Sequence, residues 1–245
     1  RLVLIPGRGV VANALSYPRD VPEKPEEPVR ILLSWASQKV NYDMLWALHR
    51  VAERCTKKVE FHFLSGLGLR FLGGPAFLAS LHEVLGAERV VSHAHMSQPD
   101  YFKLIAHMHI AADSHPFGGF NTVVDPIYMG VPVVGYDGDR AFAKYGPHLL
   151  RTLGLDELVA CNVDEYVDRL VRLVEDTQWR ADCERKIRAL DLNATMFAEH
   201  NGEYFLEVVD YLVANHDRLK NERAKPPIRI GAPAASPSRR EGKGA

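Results

Sequence analysis

Cysteine is scarce in this chain of 245 residues. Cys55, Cys161 and Cys183 are odd in number and far apart, which excludes a disulfide framework and suits free thiols in a reducing compartment. Long apolar runs are missing too: none approaches the roughly 20 residues of a membrane-spanning helix, and no signal-peptide pattern opens the sequence. Net charge is nearly absent, at −1, so no global field calls for nucleic acid or an anionic membrane. The expectation is a cytoplasmic protein with no nucleic-acid partner and no membrane span. The charge is unevenly spread, however. Residues 218–245 hold eight Lys or Arg against two Glu, which leaves about −7 on the rest.

What is present is enough apolar material, 47% of residues, to bury a full core. The chain opens at Arg1 without a methionine, and residues 1–17, beginning "RLVLIPG", read as the end of a missing amino-terminal domain. Residues 18–28, "PRDVPEKPEEP", read as a Pro-rich extended linker, because proline stiffens the backbone and removes donors. From there the pattern alternates. Strands are expected over 29–35, 59–65, 89–93, 109–113, 131–136 and 157–161, with helices over 42–55, 77–86 and 99–108 between the first of them. Beyond Val163 the chain turns helical, with Asn162 as an N-cap and Glu165 behind it, then helices over 178–190 and 200–216. Alternation of this kind predicts a doubly wound, parallel, Rossmann-like α/β sheet over 29–216. Residues 217–245, rich in Pro, Ala, Gly and Arg, read as a disordered basic tail.

In such sheets ligands sit at the carboxyl ends of the strands, and three strand ends carry chemistry. The first is "HPFGGFNTVVD" (115–125). Gly118 and Gly119 permit positive φ and close backbone approach, and the helix starting near Asn121 offers unpaired N–H groups suited to a phosphate. Asp125, one turn on, can accept from ribose hydroxyls. A plain turn followed by a first-turn helix charge explains the same residues equally well. Pro126 should bend that helix. The second strand end, "SQKVNY" (37–42), places Lys39 where an ammonium could neutralise charge on a departing diphosphate, or simply sit in solvent. The third carries His93, His95 and Tyr101. Two imidazoles do not make a metal site, and His95 and Tyr101 are read instead as faces or hydrogen-bonding groups for a base or sugar. The "DGD" at 137–139 is discounted as a metal motif, since Asp and Gly are favoured in a turn after a strand for backbone reasons.

With these residues in hand, positions 29–215 resemble the carboxyl-terminal, donor-binding half of a GT-B glycosyltransferase. The resemblance is to the N-glycosyltransferases of bacterial high-molecular-weight adhesins, relatives of the O-linked N-acetylglucosamine transferases and SPINDLY-type enzymes (glycosyltransferase family 41). It is carried by "SQKVNY", "HPFGGFNTVVD", "HAH" and "RTLGLDELVACNVDEYVDRLVRLVED" (151–176). It implies an inverting transfer of a hexose or N-acetylhexosamine from a UDP-sugar to a protein Asn or Ser/Thr, with no metal and no other cofactor. Lys39 and Asn121 would be catalytic; His95, Tyr101, Gly118, Gly119, Asn121, Thr122 and Asp125 would bind the donor. Partners would be the UDP-sugar, an acceptor protein or peptide and the missing amino-terminal domain, without which this half would be inactive. The chain departs from the family at Gly119-Phe120, where the adhesin enzymes carry Asn-Thr and the O-linked enzymes a histidine at the second position. Alternatives are a GT-B-like sugar-nucleotide epimerase and a non-catalytic nucleotide-binding module.

Overall fold

The computed structural model describes residues 3–5, 12–20, 22–64, 74–197 and 202–231. These fall into two compact units, one within 1–11 and 197–245 and the other spanning Ala12–Met196. In the smaller unit, strand β1 (Val3–Leu4) pairs in parallel with the last described strand, β8 (Ile228–Arg229). That unit also holds two helices, Gly202–Ala214 and His216–Asn221.

The larger unit is a six-stranded sheet, every neighbouring pair parallel. Its strands in chain order are β2 (Val29–Leu33), β3 (Val59–Leu64), β4 (Val90–His93), β5 (Ile110–Ala112), β6 (Val133–Tyr136) and β7 (Val159–Ala160). They lie in the order β4-β3-β2-β5-β6-β7, so the winding reverses between β2 and β5. Short apolar runs make these strands because helices cover both faces and leave no room for polar alternation. Val29, Ile31, Leu32 and Leu33 of β2 are all buried, each contributing about 1.5–3 kcal/mol of transfer free energy. Helix α1 (Tyr42–Arg54) follows β2, α2 (Gly74–Leu85) follows β3 and α3 (Gln98–Ala106) follows β4. Helices α4 (Asn121–Tyr128) and α5 (Tyr145–Thr152) follow β5 and β6, and α6 (Val163–Glu175) and α7 (Thr177–Arg188) close the unit. Helix α1 buries Leu45, Leu48, Val51 and Ala52, and α6 buries Tyr166, Val167, Leu170, Leu173 and Val174.

Every expected strand is present, trimmed by one to three residues in total, and the sheet is the expected Rossmann-like α/β arrangement. The segment boundaries differ from expectation in three places. The described residues of 18–28 lie outside helix and strand and are mostly exposed, but two side chains tether them: Arg19 Nε donates to the Tyr128 carbonyl at 2.7 Å, and Lys24 pairs with Glu184 at 3.1 Å. Tyr17, expected to belong to a preceding domain, stacks on Phe102 with ring centroids 4.2 Å apart. Between the prolines, Arg19 and Lys24 find partners on α4 and α7, which composition does not report. Third, the expected basic tail is ordered through residue 231, because Ile228 and Arg229 extend a strand partner. Residues 232–245 lie outside the described residues. Helix α5 had no forecast, since Gly146 and Pro147 in its first turn break the periodic signal; proline there costs no intrahelical hydrogen bond.

Candidate functional site

The crevice at a winding reversal is where the loops leaving adjacent strands part, and it is the general ligand site of open parallel sheets. Here those loops follow β2 and β5; the sequence candidates Lys39, Gly118 and Gly119 lie on them, and Asn121 and Thr122 open the helix that follows the second. Trp35 ties the two strand ends together, its indole N–H donating to the Ala112 carbonyl at 2.7 Å. Lys39 closes a 3-10 turn over Ser37–Lys39. Its Nζ donates to the Gly118 carbonyl at 3.0 Å and stands 5.0 Å from the centroid of the Phe117 ring. Asn41, one of the residues that sequence reasoning passed over, does two jobs. Its Oδ1 caps α1 by accepting from the Met44 amide at 3.1 Å, and its Nδ2 donates to the His115 carbonyl at 2.6 Å. The β2 and β5 loops are therefore bolted to each other by Lys39 and Asn41.

Gly118 and Gly119 are needed for space rather than for conformation. Among the described residues, positive φ occurs only at Gly86, Gly130, Gly154 and Gly231, so the expected role for positive φ at 118–119 is corrected. A Cβ on Gly119 would fall 1.7 Å from Thr122 Oγ1, and one on Gly118 would fall 3.3 Å from the Phe142 carbonyl oxygen. The turn is pulled tight by Asp113 at the end of β5, whose Oδ1 accepts from the Gly119 amide at 2.8 Å.

That turn delivers the chain into α4 without a capping side chain. Phe120 stands at the N-cap position and supplies no side-chain hydrogen bond; the Val123 amide turns back to the Phe120 carbonyl at 2.9 Å, and the amides ahead of it carry the partial positive charge of the helix end. Asn121 is exposed at the first helical position, Thr122 half-buried behind it. Helix α4 passes through Pro126 and ends two residues later at Tyr128. One turn along, Asp125 accepts from the Tyr101 hydroxyl at 3.2 Å. Burial pushes the Asp125 carboxyl up to about 6, partly opposed by that hydrogen bond. Burial, and then the charge of Asp125, raises the Tyr101 phenol. Tyr101 and the exposed His95 line a common cavity of ≈ 430 Å³ with Leu64 and Met96.

The structure thus joins the candidates in two groups, Lys39 with Gly118 and its turn, and His95 with Tyr101 and Asp125; α4 runs from one to the other. The discounted "DGD" turn is occupied. Asp137 pairs with Lys144 at 3.0 Å and with Arg151 at 2.7 Å. Burial acts upward on its carboxyl, but those two cations outweigh it and hold the group below its usual value. Among the described residues, no three His, Cys, Asp or Glu side chains gather as a metal-binding group. No described helix is long and apolar enough to cross a membrane.

No protein-family model matches the chain. It is 31% identical over 185 residues to a UDP-glucose:protein N-beta-glucosyltransferase of Actinobacillus pleuropneumoniae, an alignment covering 74% of this chain and 30% of that protein. It is 35% identical over 91 residues to the probable UDP-N-acetylglucosamine–peptide N-acetylglucosaminyltransferase SPINDLY of Solanum lycopersicum, covering 37% of this chain and 10% of that one. The chain therefore spans less than a third of the length of these relatives. In three dimensions it is similar to an O-GlcNAc transferase mutant from Thermobaculum terrenum, with a TM-score of 0.68 at 22% identity, over 81% of this chain and 38% of the other. The chain is related in sequence to the protein N-glucosyltransferases and the SPINDLY-type transferases, and its larger unit has the Rossmann-like α/β fold of a GT-B glycosyltransferase domain.

Proposed function

We propose that the larger unit is the donor-binding domain of an inverting, UDP-sugar-dependent transferase that glycosylates Asn or Ser/Thr side chains of proteins. The observation that carries this reading is the uncapped start of α4 beside the Lys39 ammonium, at the winding reversal of the sheet. Open helix amides and an adjacent cation suit a diphosphate, and Asp125, one turn along, suits the hydroxyls of a ribose. His95 and Tyr101 then face the base or sugar from the neighbouring cavity.

In the reaction the acceptor heteroatom attacks the anomeric carbon as the bond from that carbon to the β-phosphate oxygen breaks. The bonding pair leaves with UDP, and the acceptor's proton passes to a base outside this unit. Negative charge grows on the diphosphate, where Lys39 and the α4 amides stabilise it more strongly than in the ground state. Asn121 holds the diphosphate or the sugar from the first helical position. These groups supply the stabilisation without a metal, and the acceptor side of the active site belongs to residues beyond this chain.

Calorimetric titration of the 245-residue chain with UDP, UDP-glucose and UDP-N-acetylglucosamine tests the reading. UDP is expected to bind weakly, because only one wall of the cleft is present, and ADP more weakly still. Equal binding of UDP and ADP, or no binding of either, would remove the donor assignment.

A further inference from the structure

A strand-end aspartate beside a ligand crevice is usually open to water. Asp113 is 4% exposed. Its Oδ1 accepts two backbone amides, from Ser114 at 2.9 Å and Gly119 at 2.8 Å, whereas its Oδ2 is buried with no hydrogen-bond partner. The wholly buried Tyr166 of α6 donates its hydroxyl to the Asp113 main-chain carbonyl at 2.8 Å, which fixes the backbone from below. Three glycines crowd the carboxylate. A Cβ would lie 3.1 Å from Oδ1 at Gly119, 3.2 Å from Oδ2 at Gly118 and 2.7 Å from Oδ2 at Gly146. None of the three has positive φ, so no turn geometry calls for glycine there. Side chains have been cleared from around one acid.

Burying a carboxylate with one oxygen unpaired is costly, and a plain turn would not require it. We propose that Asp113 is a positioning residue, the peg that fixes the Gly118–Gly119 turn and through it the two anion-facing elements of the site. By holding the Gly119 amide inward, it aims the Gly118 carbonyl at Lys39 and sets where α4 begins. The inference rests on the donor-binding reading for its purpose, but the peg itself is a property of the unliganded chain. Burial pushes the Asp113 carboxyl up to about 7, against the pull of the two amides and of Lys39. The acceptor role survives that proton, since the proton can sit on Oδ2 while Oδ1 keeps both amides.

Two substitutions separate the peg from its charge. Asp113→Asn keeps an acceptor oxygen at the Oδ1 position, and Asp113→Leu has the shape without the acceptor. Amide hydrogen exchange at Gly119 in the unliganded chain is one readout and UDP affinity by calorimetry the other. Asp113→Leu should exchange at Gly119 about tenfold faster or more and bind UDP about tenfold more weakly, the loss of roughly one hydrogen bond. Asp113→Asn should restore both to within a few-fold of wild type. Wild-type exchange at Gly119 in Asp113→Leu overturns the proposal, as does an Asp113→Asn variant no better than Leu in both readouts. If Asp113→Leu does not fold, Gly146→Ala, whose Cβ would fall 2.7 Å from Oδ2, displaces the carboxylate instead, and wild-type exchange at Gly119 there overturns it. Should the wild-type chain bind no UDP at all, the donor reading falls while the exchange measurement still decides the peg.

Discussion

Two helices start at the carboxyl edge of the same sheet and begin differently. Helix α6 follows β7 and closes on itself. Asn162 Oδ1 accepts from the Glu165 amide at 2.8 Å, and Glu165 reaches back to accept from the Cys161 amide at 2.9 Å. Helix α4 follows β5, starts from Phe120 with no side-chain cap, and is preceded by a turn from which side chains have been removed. A reciprocal cap satisfies orphan amides and contributes about 1 kcal/mol. Leaving it out forgoes that stabilisation, and α4 forgoes it where a lysine stands close by. The contrast separates a helix end closed by its own side chains from one that, on the proposed reading, is left for an anion.

The sharpest way to break this contrast is to remove the cation from the open end. On the proposed reading, charge grows on the diphosphate as the sugar–phosphate bond breaks, and Lys39 would act mainly in the transition state. In a protein carrying both cleft walls, Lys39→Ala should lower kcat on the order of 10²–10³, comparable to losing an oxyanion donor. UDP-sugar affinity should fall by a smaller factor. Lys39→Arg should rescue poorly, because a planar fork does not place charge where a point ammonium does. Near-normal turnover in Lys39→Ala would return the residue to the role of a loop lysine resting on Gly118.

Asp125 gives the next largest effect. Loss of its ribose hydrogen bonds in Asp125→Ala should weaken UDP-sugar binding by about 1–3 kcal/mol. The pH dependence has a definite sign. Burial holds the free carboxyl up at about 6, and a donating hydroxyl favours its ionised form, so binding lowers the pKa and releases a proton. Affinity should therefore fall as pH drops through about 6, and the slope should vanish in Asp125→Ala. A UDP-sugar is the right probe, because its diphosphate has no group titrating there. Wild-type and variant profiles that coincide would take Asp125 out of the site.

Much of this was legible in the sequence, for reasons that explain what was not. Strand and helix alternation survives in "VRILLSW" and its successors because burial on both faces writes continuous apolar runs. The Asn162 cap is local chemistry three residues deep, and it was forecast correctly. Lys39 and Gly118 could be placed at the same edge of the sheet because parallel strands all end there, whereas the winding reversal that makes their loops neighbours depends on long-range strand pairing. Asp113 was not singled out, since nothing in "HIAAD" distinguishes a buried strand-end acid from an exposed one; its meaning comes from Gly146, which is 33 positions further on. Asn41 hid behind an ordinary capping role. In the 18–28 segment proline content reports stiffness, whereas anchoring depends on the partners that Arg19 and Lys24 find elsewhere on the unit.

The closed helix end supplies the complementary test. Asn162→Ala removes the Glu165 amide's acceptor and should cost about 1 kcal/mol of stability, read as a lower urea midpoint at unchanged slope. UDP affinity should not move. A loss of affinity comparable to that of Asp125→Ala would mean that the two helix ends are not separable, and the distinction between them would lose its basis.

The smallest expected effect is none. Chelation by EDTA should leave UDP affinity of the chain, and turnover of a protein with both cleft walls, unchanged. The physical ground is where the acids near the cleft already spend their charge. Asp137 is held by Arg151 at 2.7 Å and by Lys144 at 3.0 Å, so a divalent cation would have to displace two positive side chains to reach it. Asp113 is enclosed and Asp125 is bonded to Tyr101. On the proposed reading, the positive charge that a metal would bring to a diphosphate comes instead from Lys39 and the α4 amides. Loss of affinity or turnover with EDTA, recovered on adding manganese or magnesium, would point to Asp137 and Asp139 as ligands. The open start of α4 would then need a different explanation from the one that the lysine provides.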